Sequence, residues 1–343
     1  MIMKTTIKFY YFAFALLGST LMLFNSCNKE DVPTISTVGV TEITQTTAKS
    51  GGTITDNGGA TVTALGVCWS TTENPTVNDS KTEDENGIGS FTSIITGLEP
   101  NTTYYVRAYA INSEGAGYGV EKSFTTYNSD AITDIEGNFY NIVTIGNQVW
   151  LAKNLRTTIY NNGTPIATGH TNSEWESLST GAYAVYPYSQ IVGLSTENEV
   201  LEVYGALYNW YAVNTGNLCP TGWRVPSNED WTQLIMFVDP DATLTEFAGH
   251  FWEHSLIAGG KLKAENVWYS DCHGTDEFGF SALLGGGRDY FGSISHIGIS
   301  GYWWSSTEYN SINAFYRRMY CGNNLESDYY NKGLGFSVRC VRD

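Results

Sequence analysis

The chain has 343 residues, 42% of them hydrophobic and 14% aromatic, enough to fill the cores of two ordinary domains. Its formal net charge of −17 excludes nucleic acid as a partner, because neutralising phosphates takes clustered Lys and Arg. With only 15% charged residues and abundant Gly, Ser, Thr, Asn and Tyr, the composition fits β-rich extracellular modules better than a helical cytosolic enzyme.

The N-terminus carries Lys4 and Lys8, then an apolar run from Phe9 to Phe24, then Asn25-Ser26-Cys27. A positive start, a short apolar core and a small residue before the cut predict a secretory signal and not a stable membrane span. The cysteine directly after Ser26 resembles the lipobox of bacterial lipoproteins, in a relaxed form found in Bacteroidetes. The resemblance implies a signal peptide over 1–26, a diacylated Cys27 and a lipidated tether over 27–32. Asn28-Lys29-Glu30-Asp31 resembles the short Lys-plus-acidic signal that sends such proteins to the outer face of the outer membrane. The membrane is then a partner through the lipid anchor, held at roughly 0.8 kcal/mol per buried methylene.

Residues 33–127 read as short strands separated by turns. Thr53-Ile54-Thr55 leads into the turn signal Asp56-Asn57-Gly58-Gly59, and Ala64 to Ser70 is a further strand. In the run after Thr103, Tyr104, Val106, Ala108 and Ala110 alternate with Tyr105, Arg107 and Tyr109, which predicts one buried and one mostly solvated face. Leu98, Pro100, Thr102 and Tyr104 stand at the spacing of the tyrosine corner of the fibronectin type III fold, and the segment resembles a Bacteroidetes variant of it. That implies an all-β sandwich acting as a spacer, with Cys68 as a buried thiol.

After the polar joint Tyr127-Asn128-Ser129-Asp130, residues 132–343 hold nine of the ten tryptophans. A hairpin is expected over Ile132–Tyr140, and Gly146-Asn147 marks a second bend. The apolar stripe Leu201, Tyr204, Leu207, Tyr208 and Tyr211 predicts one helix over Val200–Val213. A second helix follows Pro226-Ser227, with Ser227 as cap, Glu229 and Asp230 in the first turn, and Trp231, Leu234, Ile235 and Val238 as its stripe. Strands after Phe280 complete an α+β domain.

Several motifs here resemble the Fibrobacter succinogenes major paralogous domain: Ile145-Gly146-Asn147-Gln148 with Trp150 and Asn154-Leu155, then Gly205 to Tyr211, and Cys219-Pro220 with Gly222 to Pro226. The close is similar too, in Gly301-Tyr302-Trp303-Trp304-Ser305-Ser306-Thr307-Glu308 and Gly335 to Arg342. The resemblance implies a C-type lectin-like fold, so the whole is two domains: an all-β fibronectin type III-like sandwich, then an α+β C-type lectin-like domain. It also suggests an outer disulfide between Cys219 and Cys340, with Cys272 and Cys321 forming a nested inner one. The rival reading makes Cys272 or Cys321 a reactive thiol, as in the formylglycine-generating relatives.

His250-Phe251-Trp252-Glu253-His254 fits an inverted zincin pattern, which on a helix would put both histidines on one face. Nearby glycines shorten any helix, and chance in an exposed segment is the better account, so no metal, cofactor or catalytic residue is expected. Gly285-Gly286-Gly287-Arg288 is read as a turn between strands. The Glu-Pro-Asn and Trp-Asn-Asp signature of calcium-dependent lectins is absent from this module. What remains is a Tyr- and Asn-rich surface, Tyr309, Asn310, Asn313, Tyr316, Arg317, Asn323, Asn324, Tyr329 and Tyr330, with the composition of paratopes and sugar sites. Trp303 and Trp304 are assigned to core packing. The expected function is a non-catalytic surface lipoprotein recognising a glycan or protein ligand; the alternatives are a structural envelope subunit and a thiol enzyme.

Overall fold

A computed structural model of the chain describes residues 30–84, 87–247, 250–265 and 272–343. The signal segment and Cys27 lie outside the described residues. Among the described residues, no helix is long and apolar enough to cross a membrane.

The first module has eight strands: β1 (Thr34–Thr37), β2 (Thr47–Asp56), β3 (Ala64–Ser70), β4 (Ser80–Lys81), β5 (Gly89–Thr96), β6 (Thr103–Asn112), β7 (Gly115–Tyr118) and β8 (Lys122–Thr125). They form two antiparallel sheets, β1-β2-β5 and β4-β3-β6-β7, with β8 also pairing β6. This is a fibronectin type III-like sandwich, and Ile35, Ile54, Leu65, Val67, Ile95 and Val106 meet between the sheets. The Glu99 backbone N–H donates to the Tyr104 hydroxyl at 3.0 Å, closing the tyrosine corner. Tyr104, Val106, Ala108 and Ala110 are buried as expected, but Tyr109 on the opposite face is buried too. The chain after β4 runs over that face, and the Tyr109 hydroxyl donates to the Thr82 carbonyl at 2.6 Å. Cys68 is a free, buried thiol.

Tyr127 ends the sandwich: its N–H donates to the Thr44 carbonyl and its own carbonyl accepts from Asn101. Its ring belongs to the second module, stacked on Phe139 with centroids 5.5 Å apart. The polar joint is therefore pinned on both sides.

The second module opens with the hairpin β9 (Ile132–Thr133) and β10 (Phe139–Tyr140), followed by β11 (Ile142–Ile145) and β12 (Gln148–Leu151). Next come α1 (Asn172–Glu176), β13 (Tyr183–Ala184), α2 (Glu197–Tyr204), β14 (Leu207–Asn209), α3 (Trp210–Val213), β15 (Trp223–Arg224) and α4 (Asn228–Val238). Then follow β16 (Thr243–Phe247), β17 (His250–Ser255), α5 (Ala258–Leu262), β18 (Gly285–Arg288), β19 (Ile294–Ile297) and β20 (Ser300–Glu308). The last strands are β21 (Asn313–Tyr320), β22 (Leu325–Asn331), β23 (Gly335–Phe336) and β24 (Val341–Arg342). The long sheet runs β13-β14-β23-β18-β20-β21-β22-β17-β16, with β19 on β18, and a smaller sheet runs β11-β12-β24-β15. The last strand thus pairs with β12 near the start of the module, Trp150 opposite Val341.

Two expectations are corrected here, and the zincin-like pattern already set aside as chance does not lie on a helix. The stretch Val200–Val213 is not one helix: α2 stops at Tyr204, and β14 and α3 follow. Gly205 takes φ +77°, and a Cβ there would sit 2.7 Å from the Leu155 carbonyl oxygen, so the chain turns sharply and enters the sheet. Gly285–Arg288 is a buried strand and not a turn, because glycine lets it lie flat against the β19 backbone. A Cβ on Gly286 would meet the Ser295 carbonyl oxygen at 2.3 Å. The His250–His254 segment is strand β17, not helix, and no cluster of three metal-ligating side chains occurs among the described residues.

Helix α4 matches the reading from its cap. The Ser227 hydroxyl accepts from the Asp230 N–H at 3.2 Å, and the Asp230 carboxylate accepts from the Ser227 N–H at 2.7 Å. Trp231, Leu234, Ile235 and Val238 pack with Trp150, Trp303 and Phe280. Cys219 is bonded to Cys340 and Cys272 to Cys321, the nested pairing expected.

Candidate functional site

Around β20 and β21 the long sheet buries side chains on both faces. On β20 and β21, Trp303, Arg317 and Met319 face the helix α4 side, while Trp304 and Tyr316 face Phe336. Both tryptophans are fully buried. The Trp303 indole N–H donates to Asn154 Oδ1 at 2.8 Å and that of Trp304 to the Tyr208 carbonyl at 2.8 Å.

The nine surface residues expected to bind ligand separate into three places. Tyr309, Asn310, Asn313, Tyr329 and Tyr330 gather where β20 turns into β21 and the β21–β22 hairpin opens, Asn313 pairing with Asn331. Asn323 and Asn324 lie at the other end of that hairpin, a strand of eight residues away, roughly 25 Å. Tyr316 and Arg317 are core residues, which corrects their assignment as surface groups. Arg317 donates to Asn228 Oδ1 at 2.8 Å and to the Asn228 carbonyl at 3.2 Å, tying β21 to the first turn of α4. Burial pushes the Tyr316 hydroxyl and the neighbouring Asp328 carboxyl above their usual ranges; Tyr316 donates to Asp328 Oδ2 at 3.4 Å. Alternation alone did not reveal that both faces are covered.

The cluster at the strand ends is built by a bulge. Register between β20 and β21 shifts between Trp304 and Glu308, and the freed backbone turns toward α4. There the Ser306 N–H donates to the Pro226 carbonyl at 2.8 Å, and Thr307 Oγ1 accepts from the Asn228 N–H at 2.9 Å. The tip is held by Asn310, whose Oδ1 accepts from the N–H groups of Ile312 and Asn313 at 2.9 and 2.8 Å. Lys332 braces it from below, donating to the Ser311 carbonyl at 3.1 Å and pairing with Glu308 at 3.0 Å.

On this support Tyr309 and Tyr329 stack at 3.6 Å with rings 6° apart, and Phe315 meets both edge-on. A hydrogen bond between the two tyrosine side chains raises the Tyr309 pKa. Tyr330, the next residue of β22, pairs with Ala314 on the opposite face and is 54% exposed, and Ile312 at the tip is 61% exposed. Phe315 and Ile312 were not among the expected site residues; their place at the hairpin mouth is the signal that was available. The arrangement offers amphipathic rings and amide groups but no nucleophile–base pair.

Compared with known proteins, residues 143–342 match the model of the Fibrobacter succinogenes major domain. None of the curated proteins matches the chain. Solved structures similar to part of it include the sensor domain of the anti-sigma factor RsgI4 in Pseudobacteroides cellulosolvens, 22% identical over 29% of this chain and 97% of that one, TM-score 0.23. A redesigned β-sandwich protein is 30% identical over 29% of this chain and 98% of its own, TM-score 0.21. A human fourth fibronectin type III domain is 20% identical over 35% and 98%, TM-score 0.24. The first module's fold rests on its strand order and tyrosine corner. Because the matched residues make up more than half of its length, the chain belongs to the Fibrobacter succinogenes major domain family.

Proposed function

We propose that this is a non-catalytic surface lipoprotein, anchored in the outer membrane through Cys27, whose second module is a lectin-like recognition domain for glycan or protein ligands. In this reading the sandwich is a spacer and the strand-end edge, with Tyr309, Phe315 and Tyr329 on one side and Tyr330 on the other, is the ligand site. The observation that carries it is the exposed aromatic edge standing on a braced hairpin tip, since rigid amphipathic rings bind at small entropic cost. The pairing of β12 with β24 and the Cys219–Cys340 bridge support a C-type lectin-like fold. The Cys272–Cys321 bridge supports the non-catalytic reading, since neither sulfur is a free thiol.

The test is binding of the full chain to a broad glycan panel, with calcium and with chelator, beside Tyr309→Ala and Tyr330→Ala variants. Saturable binding lost in both variants supports the reading. Binding that survives both substitutions removes the aromatic edge as the ligand face, and no glycan binding turns the search to surface proteins. Anchoring is tested separately: a fatty-acid label enters the wild type and not Cys27→Ser.

A further inference from the structure

Far from the aromatic edge, a cleft of about 260 Å³ opens between the chain after β12, the end of α2 and the segment before β18. Its lining includes Lys153, Asn154, Glu202, Val203, Ser281 and Arg339. Arg339 is 1% exposed, and each hydrogen bond it makes goes to a neutral oxygen. Its Nε and Nη2 donate to Asn154 Oδ1 at 3.2 and 2.8 Å, and its Nη1 donates to the carbonyls of Leu151 and Phe280. Among the described residues no carboxylate lies within ion-pair reach of it. Asp276 acts on it only at a distance and is itself engaged by the Ser281 N–H and hydroxyl. Burial lowers the Arg339 pKa to about 9, so it stays cationic at neutral pH.

Lys153 lines the same cleft, and Arg156 reaches it through Glu202. Lys153 Nζ lies 2.9 Å from Glu202 Oε1, and Arg156 pairs with the same carboxylate, which also accepts from the Tyr127 hydroxyl at 3.2 Å. Lys153 and Arg156 thus share one carboxylate while Arg339 has none in ion-pair reach among the described residues, in a chain with 18 Lys and Arg against 35 Asp and Glu. Leaving Arg339 without a counter-ion is costly, because a buried charge gives up its hydration with no ion pair in return. An anion entering the cleft restores the balance where the surrounding protein strengthens its attraction.

The geometry points to a second binding site in this cleft, for a small ligand bearing one carboxylate, with Lys153 and Arg339 as charge partners. At roughly 30 Å³ per water the volume corresponds to eight or nine waters, the size of one hexuronic acid or one acylated amino acid. The shared chemistry is the carboxylate, and the probes separate its two sources.

Calorimetric titration of the full chain with glucuronate, N-acetylglycine and glucose tests it. Glucuronate binds and glucose, which has a similar body without the charge, does not. Binding of N-acetylglycine as well assigns the site to carboxylates at large; its failure assigns the site to acidic sugars. Lys153→Gln weakens binding about tenfold, in line with a partly exposed charge-assisted contact. Val203→Trp, which fills the cleft from α2, abolishes it, while Tyr330→Ala leaves it unchanged. Both cleft variants alter incompletely buried side chains, and a melting curve like that of the wild type confirms that they fold. Equal binding of glucose, no heat with either carboxylate, or binding indifferent to both cleft substitutions overturns the assignment.

Discussion

Removing the outer disulfide is the sharpest test of how the second module is held together. Cys219 and Cys340 are 121 residues apart, and the inner bridge spans 49 residues within that interval. Because the inner bridge short-circuits its own loop, the outer one closes an effective loop of roughly 70 residues while the inner remains. In the chain-entropy model such a loop is worth about 4.5 kcal/mol, against about 4 kcal/mol for a 49-residue loop. The Cys219→Ala, Cys340→Ala pair should therefore lose at least as much stability as the Cys272→Ala, Cys321→Ala pair. Urea unfolding followed by tryptophan emission reads this directly, since nine of the ten tryptophans lie in the second module. With a slope of about 2 to 3 kcal/mol per molar, the midpoint should fall by roughly 1.5 to 2 M. A midpoint moved by less than a quarter of that, or a larger loss from the inner pair, refutes the nested-loop reasoning.

Tyr104→Phe removes the acceptor for the Glu99 N–H and should cost the sandwich about 1 kcal/mol, measured by denaturant unfolding; an unchanged midpoint denies the corner its role. Arg317→Met should destabilise the second module by about 2 kcal/mol by leaving the Asn228 oxygens without their donor; a normal melting curve with lost ligand binding would instead return Arg317 to the surface. Burial raises the Cys68 pKa from 9.0 to about 11. Its contribution to stability is intact below the unfolded value and is lost as pH rises through the folded one, so unfolding midpoints should drop across that window in wild type and less in Cys68→Ala. Rapid alkylation of Cys68 in the folded protein at pH 8 would contradict the burial.

The legible parts of the fold are those where a local rule and the tertiary environment agree. Strand β3 over Ala64–Ser70, the Tyr104 corner and the Ser227 cap each carry their own chemistry in a few adjacent residues. Failures occurred where the deciding contact comes from far along the chain. The apolar stripe from Leu201 to Tyr211 fits a helix, but Leu207–Asn209 are claimed by β13 and β23, and the break lies at Gly205, where only glycine tolerates the approach of Leu155. Tyr316 and Arg317 looked like solvated strand residues because a single strand does not say how many layers cover it. The aromatic edge was partly legible: Tyr309, Tyr329 and Tyr330 stood out by type, while Asn323 and Asn324 share their composition but sit at the opposite hairpin end.

That separation has a consequence for where this module can meet a ligand. Strands β20 and β21 keep Trp303, Trp304 and Tyr316 inside, their polar atoms met by the Asn154 amide, the Tyr208 carbonyl and the Asp328 carboxylate. Residues that hold the framework are thereby removed from solvent, and change at them is punished through stability. The hairpin mouth is different: its tip is fixed by Asn310 and Lys332, whose bonds run largely to the backbone, so Tyr330 and Ile312 are free to vary without loosening the strands beneath. The cleft at Arg339 combines both roles, since the same guanidinium that joins Leu151, Asn154 and Phe280 supplies its charge. Substitution at the mouth should therefore change what is bound, whereas substitution of Arg339 should change whether the module folds, and the partly exposed Lys153 lets the cleft's positive charge be altered with the fold intact.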